Sequence, residues 1–275
     1  MTYEVNAHPA LDYFPCRYGR SRVLFRGPRR PLDAPYIGFL GGTETYGRFV
    51  ETPFPMLVED ELQYSCVNFG AVNAGLDLYL HDPGVLHVAD RADATVLQIL
   101  GAQNMSNRFY SVHPRRNDRF LRASERLMEL YPEIDFTEFH FNRHMLGRLQ
   151  EISGERFEEV VAELRLAWLA RMKHLLTMLR GGVVLLWFAD HAPPDKPVRS
   201  LTQDPLFIDR TMIDALRPRA AGYVEMPRAD ACLQRGGPGL VYNEFEESAA
   251  AEILGPAAHE ATAEALIPVL QDLLA

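Results

Sequence analysis

The residues Leu40-Gly41-Gly42-Thr43-Glu44-Thr45-Tyr46-Gly47 set two hydroxyls and a carboxyl directly after an apolar run, Tyr36 to Leu40, and ahead of helix-forming sequence. A strand that closes in glycines and turns sharply into a helix projects a small side chain at the C-terminal edge of a sheet, beside the free N–H groups of the helix. Thr43 and Thr45 are the hydroxyls so displayed. The competing role for Thr43 is a helix N-cap whose oxygen accepts a backbone N–H. Glu44, in the first turn, suits either a carboxylate partner for the hydroxyl or the helix dipole.

Two further turns of this kind follow. Asn68-Phe69-Gly70-Ala71-Val72-Asn73-Ala74-Gly75 closes the apolar stretch Ser65 to Phe69, and Gly101-Ala102-Gln103-Asn104 closes Thr95 to Leu100. Phe54 to Leu62, with proline in its first turn, reads as a helix between the first two strands. A fourth strand, Gly182 to Phe188, ends at Asp190-His191, and a fifth, Gly222 to Met226, ends at Pro227. The last helix, from about Ala258 to Leu274, is entered through Gly255-Pro256. Strands alternating with helices require right-handed crossovers and a parallel sheet, which collects consecutive strand ends on one edge. The polar turns should converge there, and Asp190 and His191 on that edge either supply an acid and a base or close a loop.

Residues 105–180 form an excursion between the third and fourth strands that is too long for an ordinary crossover. From Glu155 onward it carries Phe157, Val160, Leu164, Trp168, Met172 and Leu175, a helical stripe of the kind that packs on a sheet. Its first half is crowded with Arg108, Arg115, Arg116, Arg119, Arg122 and Arg126. Guanidinium groups are forked donors suited to phosphate, sulfate or carboxylate. Because the chain leaves the third turn at Asn104, this segment is expected to cap the polar edge and bring a guanidinium toward Thr43; the alternative is a solvated face. His140 and His144 have the i, i+4 spacing of a metal pair, but no third ligand accompanies them. Neither metal nor cofactor is expected.

The 275 residues carry 28 Lys and Arg against 37 Asp and Glu, a net charge of −9, which argues against general nucleic-acid binding. An apolar content of 47% is enough for one domain spanning 1–275 to bury a full core. No apolar run reaches the roughly 18 to 20 residues of a membrane span, and the opening segment, with Glu4, Asn6 and Asp12, lacks a leader pattern. A cytoplasmic protein without membrane association is therefore expected. Cys16, Cys66 and Cys232 are too widely spaced to suggest a disulfide framework or a zinc knuckle. The expected partner is a small-molecule substrate, anionic if the arginines touch it, and a homo-oligomer is compatible with the sequence.

Taken in order, the turns resemble the conserved blocks of the SGNH or GDSL superfamily of hydrolases and acyltransferases. Gly41-Gly42-Thr43-Glu44-Thr45-Tyr46-Gly47 is similar to the family's Gly-Asp-Ser-Leu-Thr-x-Gly, with Thr43 at the nucleophile and Gly42 in place of aspartate. Asn68 through Gly75 resembles the second block, whose oxyanion glycine falls near Asn73, flanked by Gly70 and Gly75. Gly101-Ala102-Gln103-Asn104 looks like Gly-x-Asn-Asp, and Pro256-Ala257-Ala258-His259 looks like Asp-x-x-His with the histidine kept and the acid lost.

The resemblance implies a three-layer α/β/α, flavodoxin-like fold with five mainly parallel strands in order 2-1-3-4-5 and a helical insertion at 105–180. It also implies an enzyme that acts on an ester or transfers an acyl or related group. In that reading His259 activates Thr43, while Gly42, Gly70, Asn73, Gln103 and Asn104 line the oxyanion and binding pocket. Glu44, Asp190, His191, Arg108, Arg115, Arg116 and Arg119 are accessory candidates. The lost acid and the threonine leave a second reading, an inactive relative that binds a small polar or anionic ligand. A third, transfer of a sulfuryl or acyl group from an anionic nucleotide donor, rests on the arginines alone.

Overall fold

A strand covered on both faces sends alternate side chains into two separate cores, and that alternation organises this molecule. The computed structural model describes residues 11–275, so Glu4 and Asn6 lie outside the described residues. The chain runs β1 (Ile37–Leu40), α1 (Thr43–Tyr46), α2 (Phe54–Leu62), β2 (Cys66–Asn68), α3 (Leu76–Leu80), α4 (Pro83–Ala89) and β3 (Ala94–Gln98). A hairpin of β4 (Tyr110–His113) and β5 (Arg116–Ala123) follows, then α5 (Glu125–Leu130), α6 (Asn142–Ile152) and α7 (Gly154–Met178). The remainder is β6 (Gly182–Trp187), α8 (Arg210–Asp214), β7 (Gly222–Glu225), α9 (Glu247–Ala250) and α10 (Pro256–Leu274).

Five strands pair in the order β2-β1-β3-β6-β7, every pair parallel. This is the expected 2-1-3-4-5 order of a parallel sheet in a three-layer α/β/α fold. Ile37, Phe39, Val96, Val184 and Leu186 enter one core with Phe54 and Val58 of α2 and Leu266 and Leu270 of α10. Leu40, Leu97, Leu185 and Trp187 enter the other, with residues of α3, α4, α6 and α7. The stripe expected on α7 is buried there, and the indole N–H of Trp168 donates to the Leu100 carbonyl at 2.7 Å, tying the helix to the end of β3. No described helix is long and apolar enough to cross a membrane.

Two elements differ from expectation. The first half of the excursion is not helical but an antiparallel hairpin, in which Tyr110, Val112 and Phe120 are buried at strand spacing and Pro114 occupies the turn. The last helix begins at Pro256, its first helical position, rather than near Ala258, so His259 lies within the helix and not ahead of it.

Candidate functional site

Gln98, the last residue of β3, organises the turn that carries Thr43. Its Oε1 accepts the Gly42 N–H at 2.8 Å and the Thr45 hydroxyl at 2.7 Å, and its Nε2 donates to Glu44 Oε2 at 2.7 Å. Thr45 is thereby buried and committed to the interior. Gly42, not Thr43, is the N-cap residue of α1, which leaves the Thr43 hydroxyl free of the capping role and partly exposed. The Tyr79 hydroxyl accepts the Gly41 N–H at 2.9 Å and lies 2.9 Å from the Phe69 carbonyl, clamping the ends of β1 and β2 together. Asn68 donates to the Thr45 carbonyl at 2.7 Å, and the loop crosses α1 so closely that a Cβ at Gly70 would collide with the Tyr46 backbone. Behind α1, the buried Arg26 donates to the carbonyls of Gly47, Val50 and Glu51.

The second and third turns close on Thr43. Asn73, at the left-handed φ of 56°, donates its backbone N–H to Thr43 Oγ1 at 3.0 Å, and its side-chain oxygen lies 3.4 Å from the same hydroxyl. Asn104 Nδ2 donates to the Asn73 carbonyl at 3.2 Å, and the backbones are close enough that a Cβ at Gly75 would run into the Asn104 carbonyl. Asn142, at the start of α6, in turn donates to Asn104 Oδ1 at 3.2 Å. Thr43, Asn73 and Asn104 therefore form one contiguous polar set. Gln103 stands apart, buried, with its amide N–H directed to Asp204 at 3.3 Å.

A second polar group lies on the β6 side of the same edge. Asp190 accepts from His191 Nδ1 at 2.9 Å and from Arg235 Nε at 2.7 Å. Burial disfavours its charge, yet the hydrogen bonds from Arg235 and His191 prevail and hold its pKa down to about 2. The Glu44 carboxyl shifts the other way: desolvation raises its pKa against the opposing Gln98 hydrogen bond, and the Arg235 charge acts on it as well. Arg235 is itself bonded to Asp190 and to the Glu252 carbonyl.

His259 is held elsewhere. Its ring stacks on Phe54 and packs against Phe188 in the core between the sheet and α10, and Nδ1 accepts the Phe54 N–H at 3.2 Å. Burial, with a small push from the Arg26 charge, lowers its pKa to about 3. Among the described residues no hydrogen bond joins it to Thr43.

The hairpin reaches over the edge, as expected of the arginine-rich segment, but through Asn117 and Asp118; among the described residues no hydrogen bond joins one of its guanidiniums to Thr43. Asn117 Oδ1 accepts the N–H groups of Gly75 and Leu78 at 2.9 and 3.0 Å, and Asp118 accepts from the Asn73 amide at 3.3 Å. Arg108 is drawn away to Glu163 on α7, with Nε to Oε2 at 2.6 Å. Arg119 lies over the Phe141 ring at 4.0 Å, while Arg115 and Arg116 are exposed. His140 precedes α6 and His144 lies within it, packed on Phe139, so the two do not share a helix face; among the described residues no three His, Cys, Asp or Glu side chains gather as a metal site. Gln98, Tyr79, Asn117 and Asp118 escaped sequence reading because strand and hairpin patterns mark them only as buried or alternating positions.

A family model described as a domain of unknown function (DUF6473) matches residues 1–274. The chain belongs to the DUF6473 family. No curated protein matches the sequence. Among solved structures, this DUF6473 chain is similar to a family two carbohydrate esterase from Clostridium thermocellum in complex with cellohexaose, at 12% identity and a TM-score of 0.44 over 91% of this chain and 67% of the other. It is also similar to an extracellular lipase from Streptomyces rimosus, at 11% identity and a TM-score of 0.43 over 87% of this chain and 100% of the lipase. A lipase from a goat rumen metagenome aligns at 12% identity and a TM-score of 0.40, over 86% of this chain and 97% of that one.

Proposed function

We propose that this DUF6473 chain is an enzyme that acts on an ester, or transfers an acyl or related group, through the Thr43 hydroxyl. The reading is carried by the 3.0 Å contact between Thr43 Oγ1 and the Asn73 N–H. It sets a hydroxyl nucleophile and a backbone donor side by side at the sheet edge. As Thr43 Oγ1 attacks an acyl carbon, the carbonyl electron pair moves onto oxygen, where the Asn73 N–H meets the developing charge. The Asn104 amide, bonded to the Asn73 carbonyl, holds that peptide in place. Collapse expels the leaving alcohol or thiol, which takes up the proton that the base removed from Thr43; water or an alcohol, giving its proton to the same base, then attacks the acyl–Thr43 ester and breaks the bond to Oγ1, which is reprotonated.

The proton acceptor in this proposal is His191, just past the end of β6 on the same sheet edge. Asp190 engages Nδ1 and orients the ring, leaving Nε2 for the proton, the division of labour found wherever a carboxylate–imidazole pair serves a nucleophile. His259 suits this role less. With Nδ1 accepting an N–H, its proton resides on Nε2, and a pKa of about 3 makes it a poor acceptor at neutral pH. A second reading, an inactive protein that binds a small polar or anionic ligand, is favoured by the lack of any hydrogen bond between Thr43 and a histidine among the described residues.

Hydrolysis of p-nitrophenyl acetate and labelling by a fluorophosphonate test the proposal. Thr43→Ala should abolish both, Thr43→Ser should keep or raise turnover by removing the crowding methyl, and His191→Ala should lower kcat by about 10²- to 10⁴-fold. Full activity in Thr43→Ala would refute the role of the hydroxyl, and no labelling of the unsubstituted chain would favour the binding protein.

A further inference from the structure

We propose that the β4–β5 hairpin recognises a phosphate or sulfate group on the molecule handled at Thr43, with Arg115, Arg116 and Arg119 as the contacts; this rests on the function proposed above. The decisive contrast lies in how the excursion uses its arginines. Every arginine of residues 105–180 outside the hairpin is paired with a carboxylate, from Arg108 with Glu163 and Arg126 with Glu159 at its flanks to Arg171 with Asp77 and Arg180 with Asp90. Among the described residues, Arg115, Arg116, Arg119 and Arg122 of the hairpin have no such partner.

The chain has a net charge of −9, so carboxylates are not scarce. Like charges left together on one ribbon repel each other, and an anion bound between them relieves that repulsion. Asp118, the acid on the same strand, accepts from the Asn73 amide at 3.3 Å and, among the described residues, forms no ion pair with these arginines.

The hairpin is also fixed against the loop that carries Asn73. Asn117 and Asp118 bind the loop from Asn73 to Leu78, and Asn142 donates to the Asn117 carbonyl at 2.6 Å. At the tip, His113 Nδ1 accepts the backbone N–H groups of both Arg115 and Arg116, at 3.2 and 3.1 Å, which holds the turn in one shape. Arg119 stacks over Phe141, an arrangement that leaves the in-plane N–H donors of its guanidinium available. Forked donors on a rigid strand whose Asp118 touches Asn73, the partner of Thr43, match a tetrahedral oxyanion, which a neutral ester would not need. Two sources share that chemistry: a pyrophosphate on a nucleotide-type acyl donor, and a sulfate or phosphate on the acceptor.

Calorimetric titration of the full chain with coenzyme A, inorganic pyrophosphate and inorganic sulfate, at low and at physiological salt, tests the proposal. The R115Q/R116Q/R119Q variant is compared with R17Q/R20Q/R22Q, which removes the same charge from Arg17, Arg20 and Arg22, three exposed arginines ahead of β1. The hairpin variant should lose roughly tenfold or more in affinity, as expected for the loss of charge-assisted hydrogen bonds, while the control stays near the unsubstituted chain. Binding of coenzyme A and pyrophosphate over sulfate would point to the donor, and sulfate binding as tight as pyrophosphate to the acceptor. Equal losses in both variants, no loss in the hairpin variant, or no binding of any of the three anions would overturn the proposal. Thr43→Ala should bind these anions as the unsubstituted chain does, so the anion site and the hydroxyl chemistry stand or fail separately.

Discussion

Thr43 and Thr45 share a side chain and a turn, yet one hydroxyl is partly exposed at the sheet edge and the other is consumed by Gln98 at 2.7 Å. The difference comes from α1, in which residues two apart point away from each other, so that one enters the core when the other leaves it. Between them Glu44 curls back over Gly42, its Oε2 3.3 Å from where a Cβ on that glycine would stand. A side chain at position 42 would press on Leu100 Cδ2, at 3.1 Å, and on this carboxyl. Because its pKa is raised in the folded chain, the folded state holds a proton that the unfolded chain releases, and stability from this group is lost as pH rises above its ordinary value. Glu44→Gln keeps an acceptor for Gln98 without the charge. It should raise Tm at pH 7, with the gain vanishing near pH 4, as read by thermal melts at the two values. An unchanged Tm difference across that range would show that the carboxyl is solvated enough to titrate normally.

At the scale of elements, neither α1 nor α3 can hold itself together: with four and five residues, they lack the length at which helix propagation repays nucleation. Both depend on side chains from distant strands. Gln98 anchors the first turn of α1, while buried Asn117 satisfies two N–H groups at the start of α3 and, through its Nδ2, the His113 carbonyl at 3.0 Å. Asn117→Ala would strand those N–H groups in the interior. It should cost about 3 kcal/mol, at 1–3 kcal/mol per unsatisfied group. Urea denaturation should show the loss, and hydrogen exchange should quicken first at Gly75 and Leu78. If protection there is unchanged, the hairpin is not what organises the pocket loop.

Over the whole molecule, the two cores make different demands on pH. His259 lies in the core shared by α2 and α10, and its pKa falls from 6.5 to about 3 through burial. Between those values the unfolded chain takes up a proton that the folded chain refuses, so stability must decline as pH falls from 6.5 toward 3. The slope should be on the order of 1 kcal/mol per pH unit from this group. His259→Phe retains an aromatic ring between Phe54 and Phe188 but cannot titrate. It should therefore be less stable at pH 7, by about 1–3 kcal/mol for the unpaired Phe54 N–H, and show a shallower acid decline. Urea denaturation at intervals from pH 7 to 4 measures both, and an unaltered slope would exclude His259 as the acid-sensitive group.

The sequence by itself determined what local pattern can encode. Short apolar runs marked all five sheet strands, three of them closing in glycine-bearing turns, the order of alternation implied their parallel arrangement, and the 3.6-residue stripe marked α7. The three turns that meet at Thr43, Asn73 and Asn104 were legible because each ends a strand on the same edge. The hairpin was less legible, since its buried positions are sparse and a register shift interrupts their alternation. What the tertiary structure alone decided were contacts between residues far apart in the chain: Gln98 with Thr45 across 53 positions, Gly75 with Asn117 across 42, and His259 with Phe54 across 205. A motif states which side chain follows a strand end but not what packs around it. Burial and hydrogen-bond partners, which decide whether an imidazole accepts a proton or a guanidinium meets a carboxylate, come from segments that only the folded sheet brings together.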